Sequence, residues 1–212
     1  MKLTVFGATG RIGQQVVAQA LAAGHQVTAV VRDPARFTVT GAGLDVLRGD
    51  PSDPESLRPA VAGRDAVLSC LGANKRADAA SGIAARLTRS IVTAMDAAGT
   101  RRLLVISAGP VGPEAPDDPF LDRLTHTIVN ALFKDVYDDL RQMEAELAAS
   151  ALDWTSVRPV RLVDKPLTST YRKAVGATPR SARSIGRADV AQAMLSMIDD
   201  AATVKQGVCV AY

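Results

Sequence analysis

Gly7-Ala8-Thr9-Gly10-Arg11-Ile12-Gly13 directly follows the apolar run Leu3-Thr4-Val5-Phe6 and opens a helical stretch from about Arg11 to Ala23. Strand, glycine turn and helix, in that order, are the setting in which glycine spacing acquires chemical meaning. Without a Cβ, Gly7 can turn sharply off the strand, and Gly10 lets backbone N–H groups approach a pyrophosphate held by Thr9, Gly10, Arg11 and Ile12. Gly13 lets the helix lie close to the sheet. The free N–H groups and dipole at the helix start favour phosphate charge. The spacing is G-x-x-G-x-x-G, not the G-x-G-x-x-G of the commonest dinucleotide fold. The chemistry it points to is the binding of a dinucleotide.

A second group lies at the end of the next apolar run, His25 to Val31, in Arg32-Asp33-Pro34-Ala35-Arg36. An NAD site usually ends this strand in Asp or Glu, which accepts from the ribose hydroxyls. Here the position is Arg32, with Arg36 one turn later. Two guanidinium groups suit a 2′-phosphate and leave a 2′-hydroxyl without its acceptor, so NADP(H) is expected, with Asp33 as the feature that still admits NAD. Asp50, after the third strand, is placed either at the adenine edge or as a turn aspartate before Pro51. Leu71 and Gly72 fall at the end of the fourth strand, on the ligand side of a parallel sheet, where small residues let backbone pass close to a cofactor.

Other chemistries find little support. The two histidines, His25 and His126, sit in unrelated contexts, so no metal centre is expected. Cys70 and Cys209 lie in apolar runs and read as buried thiols. Ser107, His126 and Asp135 could be named as a triad, but no nucleophile elbow surrounds the serine. The net charge of +3 and the 4% aromatic content give neither a phosphate-tracking stripe nor a stacking platform, which argues against nucleic acid. An anionic small molecule fits the basic excess better. No apolar run approaches the roughly 20 residues of a membrane span, and Met1 leads straight into a strand, so a cytoplasmic protein is expected.

The elements that must position these residues alternate. Strands are expected at Leu3–Phe6, His25–Val31, Leu44–Arg48, Ala66–Leu71, Arg102–Ile106, Trp154–Arg158 and Val208–Tyr212. Their runs lack alternation, as in a parallel sheet buried on both faces. Helices are expected from Arg11, from Ser52 or Asp53 to Val61 with Pro54 in the first turn, over Gly82–Ala98 with Ile83, Leu87, Ile91 and Met95 as core, and over Asp189–Ile198 as an amphipathic element. A further helical region spans Leu121–Ala149, broken near Asn130. Lys75–Ser81 reads as polar and mobile, and the proline-rich Gly112–Phe120 loop as a lid or a connector. A short hairpin is expected from Arg172–Val175 and Arg183–Ile185. The fold class is therefore α/β, a doubly wound, Rossmann-type parallel sheet in one domain over residues 1–212 with a small C-terminal substrate-side hairpin.

Gly7-Ala8-Thr9-Gly10-Arg11-Ile12-Gly13, Val30-Val31-Arg32-Asp33, Gly49-Asp50 and Val157-Arg158-Pro159 together resemble the atypical short-chain dehydrogenases/reductases of the NmrA-like group. Ala62-Gly63-Arg64-Asp65-Ala66-Val67 and Asp164-Lys165-Pro166-Leu167-Thr168 are similar to the flavin reductases of the biliverdin reductase B type, nearly end to end. The resemblance implies an NADPH-dependent oxidoreductase passing a hydride to a flat conjugated acceptor: a flavin, a quinone or a linear tetrapyrrole. It implies that Ser107 contacts the nicotinamide or substrate and that backbone near Pro159 holds the carboxamide. Where that group has a histidine, this chain has Arg161, which cannot readily give up a proton but can hold an anionic substrate group. The Tyr-x-x-x-Lys of the wider superfamily is absent; Tyr137-Asp138-Asp139-Leu140-Arg141 carries its spacing with arginine in the lysine position. That absence keeps a non-catalytic NADP(H)-sensing regulator in view, and less so a sugar-nucleotide epimerase or dehydratase. The basic set Arg161, Lys165, Arg172, Lys173, Arg180, Arg183 and Arg187 either surrounds an acidic substrate or forms a solvated rim. A monomer or homodimer is expected.

Overall fold

The computed structural model describes residues 1–72, 76–113 and 132–212. In chain order its strands are β1 (Lys2–Phe6), β2 (Gln26–Val31), β3 (Leu44–Arg48), β4 (Ala66–Ser69), β5 (Arg102–Ile106), β6 (Asp153–Pro159), β7 (Leu162–Val163), β8 (Arg172–Val175), β9 (Ile185–Gly186) and β10 (Gln206–Ala211). Eight of them form one sheet in the order β3-β2-β1-β4-β5-β6-β10-β8, while β7 and β9 pair separately. Every pairing in the large sheet is parallel except β8 with β10.

The continuous apolar runs are explained by cover on both faces. On one face, α1 (Arg11–Ala22) and α6 (Arg187–Ser196) pack Val16, Val17, Ala20, Val190 and Met194 against Leu3, Val5, Ala29, Leu104 and Val208. On the other, α2 (Pro54–Val61), α4 (Ile83–Ala98) and α5 (Lys134–Ala149) pack Leu57, Ile91, Met95, Met143 and Leu147 against Phe6, Val67, Leu103 and Val105. The edge strand β3 keeps no fully buried residue. Asp53 opens α2, its carboxylate accepting from Glu55 N–H at 3.2 Å with Pro54 in the first turn, as expected. The start of α4 is closed from outside: Gly82 there offers no side chain, and Asp139 of α5 accepts from the N–H groups of Ala84 and Ala85, each at 3.0 Å. One carboxylate thereby satisfies two orphan donors and locks α5 to α4.

Several expectations need correction. The hairpin from Arg172–Val175 and Arg183–Ile185 does not form. Instead β8 lies antiparallel on β10, covering backbone groups that would otherwise be an open sheet edge, and β9 pairs parallel with β7. Within the segment read as polar and mobile, Arg76–Ala80 is a short helix, α3. The last helix is not one-sided: Ala188–Ala191, Ala193 and Met194 are all buried, because α6 packs on α1 and the Thr168–Ser169 segment is bonded to its Asp189 and Gln192. The fourth strand ends at Ser69, leaving Cys70 and Leu71 in the connection. Cys70 and Cys209 are free thiols, and burial pushes Cys70 up to about 12. Most of the Gly112–Phe120 loop, His126 and the break near Asn130 lie outside the described residues. Among those described, no helix is long and apolar enough to cross a membrane.

Candidate functional site

The strand order reverses direction between β1 and β4, and in an open parallel sheet the crevice outside the carboxyl ends of such strands is where ligands bind. The glycine turn sits there. Gly7 has φ +71°, and a Cβ on it would meet the Cys70 carbonyl carbon and oxygen at 2.7 Å. The Gly10 N–H closes the turn on the Gly7 carbonyl at 2.9 Å. A Cβ on Gly13 would lie 2.2 Å from that same carbonyl oxygen, so the third glycine permits the helix-to-turn contact. Gly10 caps α1 without a side-chain acceptor, and the first turn holds no acidic residue. The N–H groups of Arg11 and Ile12 are thus left for a ligand, at a helix end equivalent to roughly half a positive charge. Thr9 is exposed, and its carbonyl accepts from Gln14 Nε2 at 3.1 Å, which braces the loop.

The Arg11 side chain is engaged elsewhere. It pairs with Asp164 at 3.0 Å, and Arg187 reaches the other oxygen of that carboxylate at 2.7 Å. Four residues on, Thr168 N–H, Ser169 N–H and the Thr168 hydroxyl donate to the buried Asp189 at 3.0, 2.8 and 3.1 Å, as does the Tyr212 hydroxyl at 2.7 Å. Burial pushes the Asp189 carboxyl up, but these donors outweigh it and hold it below its ordinary value. The Asp164–Thr168 segment is therefore a strap fastened at both ends, and between it and α1 lies a groove of about 360 Å³ lined by Arg11, Gln14, Gln15, Lys165 and Arg187.

At the end of β2, Arg32 and Arg36 are exposed and make no side-chain hydrogen bond or ion pair among the described residues. Asp33 does not take the ribose-acceptor role by default: its Oδ1 accepts from Ala35 N–H at 3.1 Å, capping the short turn that carries Arg36. Asp50 behaves as a turn aspartate, with Oδ1 accepting from Ser52 N–H at 2.9 Å and Ser52 Oγ at 2.8 Å. Those two bonds, with Arg32 nearby, hold its carboxyl below the usual range. Beyond β4, Leu71 is half-buried and Gly72 is exposed, with nothing within 4 Å of where its Cβ would be. Packing among the described residues does not require a glycine there.

The other end of the crevice lies over β5 and β6. Ser107 is 5% exposed, its backbone pinned by donation to the Val157 carbonyl at 2.7 Å, and its Oγ has no hydrogen-bond partner among the described residues. Beside it is a polar cluster that sequence reasoning missed. Glu144 of α5 accepts from Ser156 Oγ at 2.6 Å, from Arg158 Nε at 3.0 Å and, on its second oxygen, from Arg158 Nη2. Both partners of this ion pair are largely buried, at 15% and 13% side-chain exposure. Arg158 fits because Gly207 and Gly112 leave room: a Cβ there would lie 2.3 and 2.8 Å from its guanidinium. Burial pushes the Glu144 carboxyl up, yet the bonds from Arg158 and Ser156 outweigh it and hold it below its ordinary value. The signal for this cluster was a glutamate set in the Leu140, Met143, Leu147 stripe of an otherwise apolar helix face.

Pro159 is buried at the end of β6, facing Gly109 across the mouth. Arg161 is exposed, its carbonyl accepting from Ile185 N–H at 3.0 Å. Tyr137 packs against Phe133 with ring centroids 6.2 Å apart. Burial pushes its phenol up, with Arg141 opposing only in part, the reverse of an activated Tyr-x-x-x-Lys. Arg141 is instead bonded to Asp138 at 2.8 Å.

Residues 7–201 match the NAD(P)H-binding family. Among curated proteins, the (4-alkanoyl-5-oxo-2,5-dihydrofuran-3-yl)methyl phosphate reductase of Streptomyces griseus subsp. griseus is 31% identical over 169 residues, covering 78% of this chain and 50% of that protein. The isoflavone reductase homolog IRL of Zea mays is 41% identical over 86 residues, 36% of this chain and 28% of that one. The chain thus spans half or less of these relatives' length. Of solved structures, a short-chain dehydrogenase/reductase of Veillonella parvula in complex with NADP superposes with a TM-score of 0.81 at 22% identity, over 100% of this chain and 94% of that one. A candidate exported protein of Burkholderia pseudomallei gives 0.81 at 27% identity, over the whole of both chains.

Proposed function

This chain belongs to the NAD(P)H-binding family, and we propose that it is an NADPH-dependent reductase acting on a flat conjugated acceptor such as a flavin, quinone or linear tetrapyrrole. The observation that carries this reading is the uncapped, acid-free start of α1 behind a glycine turn, with the Arg32 and Arg36 guanidiniums just after β2 unpaired among the described residues. The bound dinucleotide supplies a hydride equivalent. The backbone of Thr9, Gly10, Arg11 and Ile12 cradles the pyrophosphate, Arg32 and Arg36 take the 2′-phosphate, and Asp50 stands at the adenine side. Leu71 and Gly72 let the backbone pass close beneath the cofactor. Ser107 and the backbone around Pro159 orient the reactive ring, while Arg161 holds an anionic group on the acceptor. The fit is supported by a buried Ser107 hydroxyl with no partner among the described residues and by a glycine at 72 that the packing of those residues does not need. The Streptomyces relative is named as a reductase of an oxo-dihydrofuranyl methyl phosphate, which supports reduction of an anionic ring substrate. With Arg141 committed to Asp138 and the Tyr137 phenol pushed up, the proton comes from solvent, and the protein contributes orientation.

The same two facts favour a second reading, an NADP(H)-binding sensor without turnover. NADPH consumption with FMN, a quinone and biliverdin as acceptors separates the two. Oxidation with any of them supports the reductase; tight NADPH binding with no oxidation in all three refutes it and leaves the sensor. Within the reductase, Ser107→Ala should lower turnover by more than it weakens NADPH binding.

A further inference from the structure

Three exposed arginines stand at one corner of the sheet, where β2 and β3 end, and two of them are Arg32 and Arg36. The third is Arg48, the last residue of β3. It is the register partner of Val31, the residue before Arg32, on a neighbouring strand about 4.8 Å away. The Gly49 N–H donates to the Val31 carbonyl at 3.0 Å, so the two strand ends stay pinned together just beyond Arg48. Alternation along β3 fixes the face. Leu44 packs into the core beneath α1 and Leu47 into the core on the opposite side, which puts Arg48 on the α1 face. The chain that carries Arg36 lies there too. The Pro34–Arg36 turn packs against β3, and Phe37 and Val39 enter the same core as Leu44.

The charges at this corner are not used up by the protein. Among the described residues, Arg32, Arg36 and Arg48 make no side-chain hydrogen bond or ion pair. The neighbouring carboxylates are turned into their own loops: Asp33 accepts from Ala35 N–H, and Asp50 from Ser52 N–H and Oγ. Like charges gathered at one corner repel, and a dianion between them relieves that repulsion. A phosphate monoester has the matching chemistry, with nearly two negative charges and three terminal oxygens that guanidinium forks bind in pairs. A ribose 2′-hydroxyl has neither. We propose that Arg48 is a specificity-determining residue for NADPH: from β3 it gives the 2′-phosphate a third guanidinium beside the two supplied by the loop after β2. The phosphate is then held from two strands whose spacing the sheet ladder sets. This rests on the proposed placement of the 2′-phosphate at Arg32 and Arg36.

Two ligand pairs that differ only in the 2′-phosphate provide the test: NADPH against NADH, and 2′,5′-ADP against AMP. Dissociation constants for all four are measured by calorimetric titration on wild type, Arg48→Ala, Arg48→Lys, Arg32→Asp and Lys2→Ala. Lys2 stands at the amino end of β1, so its variant removes the same unit of charge away from the ligand end of the sheet. Arg48→Ala should weaken NADPH and 2′,5′-ADP by about tenfold, the worth of one charge-assisted hydrogen bond, and leave NADH and AMP within about twofold. Arg48→Lys should recover part of that loss, because it restores the charge without the fork. Lys2→Ala should leave all four constants within about twofold. An unchanged ratio in Arg48→Ala overturns the proposal, as does an equal loss for all four ligands or an equal loss in Lys2→Ala. If Arg32→Asp erases the preference while Arg48→Ala leaves it whole, the 2′-phosphate stays with the β2 loop and the Arg48 assignment alone falls. A wild type that binds NADPH no better than NADH, and 2′,5′-ADP no better than AMP, removes the NADPH reading and this assignment with it.

Discussion

Gly13→Ala sets helix propensity against a backbone collision, and the structure decides the sign. In an exposed helix interior the change stabilises by about 1 kcal/mol. Here the new Cβ would lie 2.2 Å from the Gly7 carbonyl oxygen, 2.8 Å from its carbon and 2.9 Å from Ala8 Cα, all backbone atoms that cannot rotate away. Reaching ordinary contact at 3.4 Å requires α1 and the turn to separate by 3.4 − 2.2 = 1.2 Å. Overpacking of a tight site costs about 1–3 kcal/mol, and rigid backbone places this one in the upper half. The net loss is then about 1–2 kcal/mol after subtracting the propensity gain, or roughly 2–8 °C in melting temperature for a chain of this size. The same displacement moves the first-turn N–H groups about an ångström from the phosphate, and NADPH affinity should fall at least about tenfold. Thermal melts with and without NADPH read both, since ligand stabilisation scales with the logarithm of ligand over Kd. Gly72→Ala is the counterpart. Its Cβ meets nothing within 4 Å among the described residues, so the ligand-free melt should stay within about 0.5 kcal/mol of wild type while NADPH stabilisation shrinks. A Gly13→Ala protein that melts at or above wild type with an undiminished NADPH shift would refute the helix-to-turn contact as the basis of the site.

Arg32→Asp should reverse or erase the preference for NADPH over NADH, by at least about tenfold in the ratio of Kd values, because it replaces a phosphate partner with a ribose acceptor. An unchanged ratio refutes the assignment of Arg32. Asp139→Asn should cost about 1–2 kcal/mol in urea unfolding, since one of its two 3.0 Å bonds to Ala84 and Ala85 N–H becomes a facing pair of donors, while NADPH affinity stays unchanged. The depressed pKa values of Glu144 and Asp189 give stability that is fully present above the unfolded values near 4 and is lost as pH falls through the lower folded values. The urea midpoint should therefore hold down to about pH 5 and then drop, and Glu144→Gln should flatten part of that drop; a midpoint rising towards acid contradicts both carboxylates.

The first strand, the glycine turn and α1 were legible from residues 3–23 because their constraints are local. A φ of +71° at Gly7 and contacts six residues apart are set by near neighbours in the chain. The parallel sheet was equally legible from unbroken apolar runs, which only a sheet covered on both faces tolerates. The C-terminal hairpin was misread because turn-rich spacing says where a strand turns but not which open edge it meets; β10 offered the longer one. The amphipathic reading of α6 failed for a related reason, since the loops that bury its outer face arrive from elsewhere in the chain.

The charges show the division most plainly. The sequence reading put Arg11 at a phosphate site; its backbone stands at the uncapped start of α1, but its guanidinium pairs with Asp164, 153 residues away. Arg141 looked like a stand-in for lysine until Asp138 took it, and Glu144 drew no notice until β6 brought Arg158 against it. Residue types and spacing determined that this chain makes a dinucleotide turn and a doubly wound sheet, because sterics and burial patterns act over a few neighbouring residues. Which ionised groups are free to meet a ligand was decided only by the tertiary structure. Pairing depends on distances of three ångströms between groups that the chain keeps far apart.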